Sequence, residues 1–211
     1  PAVEDLDTFV ERLMPELTGW LDRPSAFFGH CLGGLTMYAT LRELPDSCAH
    51  FVKHAFACGI RPPHLLRRRG RFEDNLAYRM MLHQDFDIHA EPYEQKDDLF
   101  AEIVRQFDTP EADRMLAIPK LRKLLLPAIR AEFGMAFNYR YRPAPPFRFP
   151  IASFVGASDP WVSASDSAAW GALTRSRFTN HVREGSHFLM VDDQDYILDT
   201  INRDFVDAAL G

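Results

Sequence analysis

The chain predicts an α/β fold, a mostly parallel sheet with helices on both faces. Three observations lead there. Short apolar runs at 25–29, 51–58, 151–156 and 178–183 alternate with longer stretches of helical spacing. The first three of these runs end at or beside a glycine, where a strand would turn into a loop. With 211 residues, 46% hydrophobic and 26% charged, the chain has ordinary globular composition and ample material for one core.

Taken in order, Val3, Leu6, Phe9, Val10, Leu13, Leu17 and Trp20 recur at three- and four-residue steps, an amphipathic helix that Pro15 would end or kink. The run 25–29 is a short strand entering a glycine-lined turn. Residues 32–44 continue as a helix, apolar at Leu35, Tyr38, Ala39 and Leu41 and broken by Pro45. The run 51–58 is a second strand, stopped by Gly59 and Pro62-Pro63. Residues 61–118 are charged and proline-broken, with helical patterns at 72–84, 96–107 and 110–116 and no strand signal. They read as an all-helical insertion over the strand ends. A further helix at 121–141 carries Leu124, Leu125, Ile129, Phe133 and Phe137, and a proline-rich connector follows at 143–150. The third strand, a helix at 163–173, the fourth strand and a closing helix at 192–210 complete a single domain, 1–211. Its core is 1–60 and 119–211, with 61–118 inserted.

The net charge of −6 argues against a nucleic-acid binder, which needs a basic face. No run approaches the ~20 apolar residues of a membrane span. The three cysteines, 31, 48 and 58, form neither a disulfide framework nor metal-ligand spacing, which suggests a reducing, cytoplasmic setting and no metal. Arg67, Arg68, Arg69 and Arg71 form the one basic cluster, either a solvated loop or a meeting place for an acidic partner.

Gly29-His30-Cys31-Leu32-Gly33 has the form of the G-x-S-x-G nucleophile elbow, with cysteine where the α/β-hydrolases place serine. Such a turn lifts one side chain away from the backbone, and glycine is expected on either side of it. In parallel sheets the chemistry gathers at the carboxyl ends of strands. Two more loops at such ends carry reactive residues: Asp159 within 156–162, and His187 within 184–188. Nucleophile, acid, histidine is the α/β-hydrolase chain order.

Together with Phe28-Gly29-His30-Cys31-Leu32-Gly33-Gly34, three further stretches carry a family resemblance. They are Ala57-Cys58-Gly59-Ile60-Arg61-Pro62-Pro63, the segment 124–132 leading to Tyr141-Arg142-Pro143, and the loops of Asp159 and His187. On these the chain resembles the type II thioesterases of polyketide and nonribosomal peptide biosynthesis, as a cysteine-nucleophile variant. The resemblance runs nearly end to end and is weakest in 65–118, which in this family is a helical lid shaping the acyl and phosphopantetheine channel. It implies cleavage or offloading of acyl groups from an acyl or peptidyl carrier protein, with phosphopantetheine arriving on the substrate and no dissociable cofactor.

The resemblance makes Cys31 the nucleophile, His187 the general base and then acid, and Asp159 its orienting partner. The Leu32 amide becomes an oxyanion donor, and Met80 and Met81 substrate-binding surface. His30 is expected to pack and position. The family begins with further strands and a Pro-His-Ala-Gly-Gly loop that supplies a second oxyanion amide, so these N-terminal strands are expected to be absent from this chain. Acyl transfer from a thioester to Cys31 would be near-neutral exchange. The group stays activated, so an acyltransferase or cyclase with the same triad is one alternative. A degenerate, carrier-binding fold is another.

Overall fold

The computed structural model describes residues 3, 5–66, 101, 104–105 and 110–210. Strands β1 (Ser25–His30), β2 (Val52–Cys58), β3 (Ile151–Gly156) and β4 (Phe178–Arg183) form one sheet in the order β1-β2-β3-β4. Every neighbouring pair is parallel. The two inner strands are buried along almost their whole length, the pattern of a sheet covered on both faces. Gly29 pairs with Ala57, Cys58 with Phe154 and Gly156 with Arg183, so the carboxyl ends lie level and their loops emerge side by side.

The described helices are α1 (Leu6–Trp20), α2 (Leu32–Glu43), α3 (Asp46–Ala49), α4 (Pro110–Ala117), α5 (Pro119–Asn138), α6 (Ala164–Ala168), α7 (Leu189–Asp192) and α8 (Gln194–Leu210). Alternation along the strands sorts the core into two faces. On one, Phe56, Cys58, Ala152 and Phe154 pack with Leu189 of α7 and Ile197 of α8. On the other, the Ser153 hydroxyl donates to the carbonyl of Ser167 in α6. There Trp170 meets Tyr38 of α2 edge-on, with ring centroids 6.4 Å apart. This is the α/β-hydrolase arrangement expected from the sequence, with a helical segment inserted between β2 and β3.

Three local differences have physical reasons. α1 continues through Pro15 to Trp20 instead of ending there. The proline removes one backbone donor without breaking the helix, whose turns before it are anchored by Leu6 and Val10, each 3% exposed. The helix expected at 163–173 divides into α6 and a 3-10 turn, Ala169–Leu173. The closing helix is interrupted at Asp193, whose φ of −134° and ψ of 49° are not helical, so α7 stands apart from α8.

The chain divides into two compact units, residues 1–9 with 67–140, and residues 10–66 with 141–211. The second holds the whole sheet. In the first, α4 and α5 pack together, with Pro119 in the first turn of α5, where its missing N–H costs nothing. Met80, Met81 and the arginines at 67–71 lie outside the described residues, as do the helix expected at 72–84 and most of that at 96–107.

Candidate active site

β1 passes into α2 through a single residue, Cys31, at φ 51° and ψ −129°. It is the one non-glycine residue with positive φ among those described. Such a conformation costs on the order of 1–3 kcal/mol and persists only where its surroundings enforce it. Here the Cys31 amide donates to the carbonyl of Cys58 at 2.9 Å, and its carbonyl accepts from the Gly34 amide at 2.9 Å. The thiol is thereby lifted to the amino terminus of α2 and is partly exposed. The Leu32 amide opens that helix, where N–H groups lack an intrahelical acceptor.

The glycines of the elbow are not equivalent. A Cβ on Gly29 would stand 2.5 Å from the Gly33 carbonyl oxygen and 2.6 Å from the Gly34 Cα. A Cβ on Gly33 would meet nothing within 4 Å. Glycine is thus sterically required before the elbow residue, and on the helix side the tight position is Gly34, where a Cβ would stand 2.6 Å from the Ile60 side chain, instead of Gly33.

From β3 and β4 come the acid and the histidine. The ring Nδ1–H of His187 donates to Asp159 Oδ2 at 3.0 Å. The other carboxylate oxygen accepts from the amides of Trp161 at 2.8 Å and Val162 at 3.1 Å. Asp159 and His187 are 7% and 4% exposed, so the pair is dry and its orientation fixed. Burial disfavours the imidazolium, but the hydrogen bonds of His187 with Asp159 and then Cys31 outweigh it and raise the ring's pKa to about 10. The structure therefore brings Cys31, His187 and Asp159 to one place at the carboxyl edge of the sheet, all within one compact unit.

His30, the last residue of β1, packs against this group. Its Nε2–H donates to the His187 carbonyl at 2.9 Å, with ring centroids 5.1 Å apart. Burial lowers its pKa and keeps the ring neutral. The acid and histidine loops are also tied by their backbones, Ala157 donating to Arg183 and Ser158 to Gly185. Ser186 serves as a local cap, its hydroxyl bonded to Asp192 at 2.6 Å. Among the described residues no three His, Cys, Asp or Glu side chains are grouped to hold a metal ion. None of the described helices is long and apolar enough to cross a membrane. Sequence reading passed over the contact of Arg61 with Asp166, for which the only signal was a basic residue at the glycine-marked end of β2.

The thioesterase domain family matches residues 1–205. Thioesterase PikA5 of Streptomyces venezuelae is 29% identical over 96% of this chain and 64% of its own length. Linear gramicidin dehydrogenase LgrE of Brevibacillus parabrevis is 27% identical over 94% of this chain and 68% of its own. The chain thus spans about two thirds of the curated relatives it matches. Among solved structures, the type II thioesterase BorB of the borrelidin cluster superposes with a TM-score of 0.72 at 25% identity, covering 96% of this chain and 74% of BorB.

The cysteine-nucleophile variant expected from the sequence requires correction. The match is to the thioesterase domain as a whole and distinguishes no cysteine subgroup. The hydroxyl network of the sheet is serine-centred: Ser153 and Ser167 lie 2.9 Å and 2.8 Å from Asn180 Oδ1, and both are 1% exposed. The assignment is accordingly to the family at large. The chain belongs to the thioesterase domain family, α/β-hydrolase enzymes that act on acyl thioesters.

Proposed function

We propose that this chain hydrolyses or offloads acyl groups from the phosphopantetheine thioester of an acyl or peptidyl carrier protein, in polyketide or nonribosomal peptide biosynthesis and in a reducing, cytoplasmic setting. The observation that carries the reading is the buried His187–Asp159 hydrogen bond at 3.0 Å beside the strained elbow at residue 31. In this reading the Cys31 sulfur, its proton already resting on the His187 ring, attacks the thioester carbonyl, and the oxyanion turns toward the Leu32 amide. His187 then returns the proton to the departing phosphopantetheine thiol. Water, deprotonated by His187, attacks the acyl-enzyme and releases the acid. Asp159 keeps the ring's Nδ1–H pointed away from the reaction throughout. Met80 and Met81 are proposed to line the acyl chain's path, and the arginines at 67–71 to meet the acidic carrier.

A second reading places the acyl group on a serine, favoured by the hydroxyl network of Ser153 and Ser167 on Asn180. Intact-protein mass spectrometry after mixing with an acyl-carrier thioester separates the two, with Cys31→Ala and Ser153→Ala as variants. An adduct lost in Cys31→Ala and kept in Ser153→Ala, decaying to free acid, supports the first reading. The opposite pattern moves the chemistry to serine. An adduct that persists until an amine or alcohol releases it points to transfer or cyclisation. No adduct in any variant leaves a carrier-binding role.

A further inference from the structure

We propose that Arg61 is a positioning residue of this site, because its ion pair with Asp166 anchors the far end of the acid loop and so holds Asp159 against His187. The acid loop leaves β3 after Gly156 and ends at Ser163, the N-cap of α6. Its first end is fixed by the sheet. At the second, Asp166 closes a capping box with Ser163, its Oδ2 accepting from the Ser163 amide at 3.2 Å and hydroxyl at 2.8 Å.

The same oxygen accepts from Arg61 Nε at 3.2 Å and lies 3.2 Å from its second guanidinium nitrogen. Arg61 comes from a different loop, the one following β2, and is 6% exposed. That loop is pinned beside it, where the Trp170 indole donates to the Ile60 carbonyl at 2.9 Å. A buried guanidinium makes a stiff, directional strut, since a charge this far from water keeps its partner. Between the two fixed ends lie only Ala157 to Val162, and Asp159 accepts from the amides of Trp161 and Val162 in the half nearest the strut. Releasing α6 from Arg61 therefore frees the peptides that orient the carboxylate.

The inference rests on reading Asp159 and His187 as a working pair, but its main readout needs no substrate. The titratable groups facing the His187 ring are Asp159, Cys31 and His30, and the rings of Trp161 and Phe188 pack against it with centroids 4.9 Å and 5.5 Å away. The Arg61 guanidinium bonds Asp166 at the end of the loop that carries both Asp159 and Trp161, so a change in His187 titration reports the geometry of that loop. In Arg61→Met the His187 ring protons, followed by NMR, should titrate at lower pH than in the parent protein. Acyl-thioester turnover should show kcat falling roughly ten- to hundredfold with KM unchanged, the size of loss a displaced catalytic group produces. Arg61→Lys, which keeps the charge with a single donor point, should recover part of both. An unchanged titration and kcat alongside a lower Tm would make the ion pair merely structural and overturn the proposal, as would a rise in KM alone. Should Arg61→Met fail to fold, Asp166→Asn removes the ion pair while leaving an acceptor for the Ser163 amide, and the same outcomes decide. If the parent protein turns over no thioester, the functional reading fails, while the titration still decides the role of Arg61.

Discussion

At the scale of single residues, Asp159 does two things with two oxygens: one is held by backbone amides, the other holds His187. Asp159→Asn keeps the shape but presents the wrong polarity to Nδ1. Turnover should fall by roughly 10³–10⁴-fold, and the His187 ring should titrate at lower pH than in the parent protein. Near-normal turnover by Asp159→Asn would remove this residue from the mechanism. The elbow glycines offer a sharper contrast. Gly29→Ala drives a methyl into the Gly33 and Gly34 backbone, neither of which can swing aside, and should destabilise by about 1–3 kcal/mol. Gly33→Ala enters open space in the first turn of a helix and should be neutral or stabilising by about 0.5–1 kcal/mol. Urea unfolding of the two variants checks both, and equal losses would show that the elbow's glycine pattern is not read by this packing. The G-x-C-x-G frame was legible in the sequence. That its second glycine is sterically free was not, because the pattern does not say which backbone atoms approach.

At the scale of elements, the strands were the most legible part. The runs at 151–156 and 178–183 coincide with β3 and β4; for β3 the reason is an apolar segment ending in glycine and buried along its whole length, while β4 is the half-exposed edge strand. Helix ends were less legible, since they are set by contacts distant in sequence. The break at Asp193 accompanies an ion pair of that side chain with Arg183 at 2.7 Å, which local propensity cannot foresee. The approach of Cys31, Asp159 and His187 followed from chain order and strand ends. Arg61 escaped notice because its partner lies 105 positions away, and Asp166 taken alone reads as a helix cap, which it also is. Ser163→Ala tests the capping half of that arrangement. Loss of the box should cost about 1 kcal/mol, visible as a lower urea midpoint at unchanged m-value. A full-sized m-value change would mean that α6 melts independently of the sheet.

At the scale of the whole molecule, the buried titratable groups set opposite limits on stability. His30, His54 and His181 have pKa values lowered chiefly by burial. A group depressed in the folded state contributes stability that is present above its unfolded pKa, about 6.5, and is lost as pH falls through the folded value. These histidines therefore steepen the acid limb below neutrality. His187 acts in the other direction: its pKa is raised to about 10, so its contribution is complete below about 6.5 and disappears as pH rises through the folded value. Cys58, pushed to about 12 by burial, and Tyr38, raised by burial, add to the alkaline limb because each must stay neutral inside. Unfolding free energy measured in urea from pH 5 to pH 10.5 should thus reach its maximum near neutrality and fall on both sides. Asp159→Asn separates the contributions: it removes the main support of the His187 imidazolium, so the decline between pH 7 and pH 10 should flatten while the acid limb stays. A parent protein whose stability does not change across that alkaline range, or an Asp159→Asn variant that declines just as steeply, would show that the His187–Asp159 bond is not the charge-stabilising contact its geometry describes.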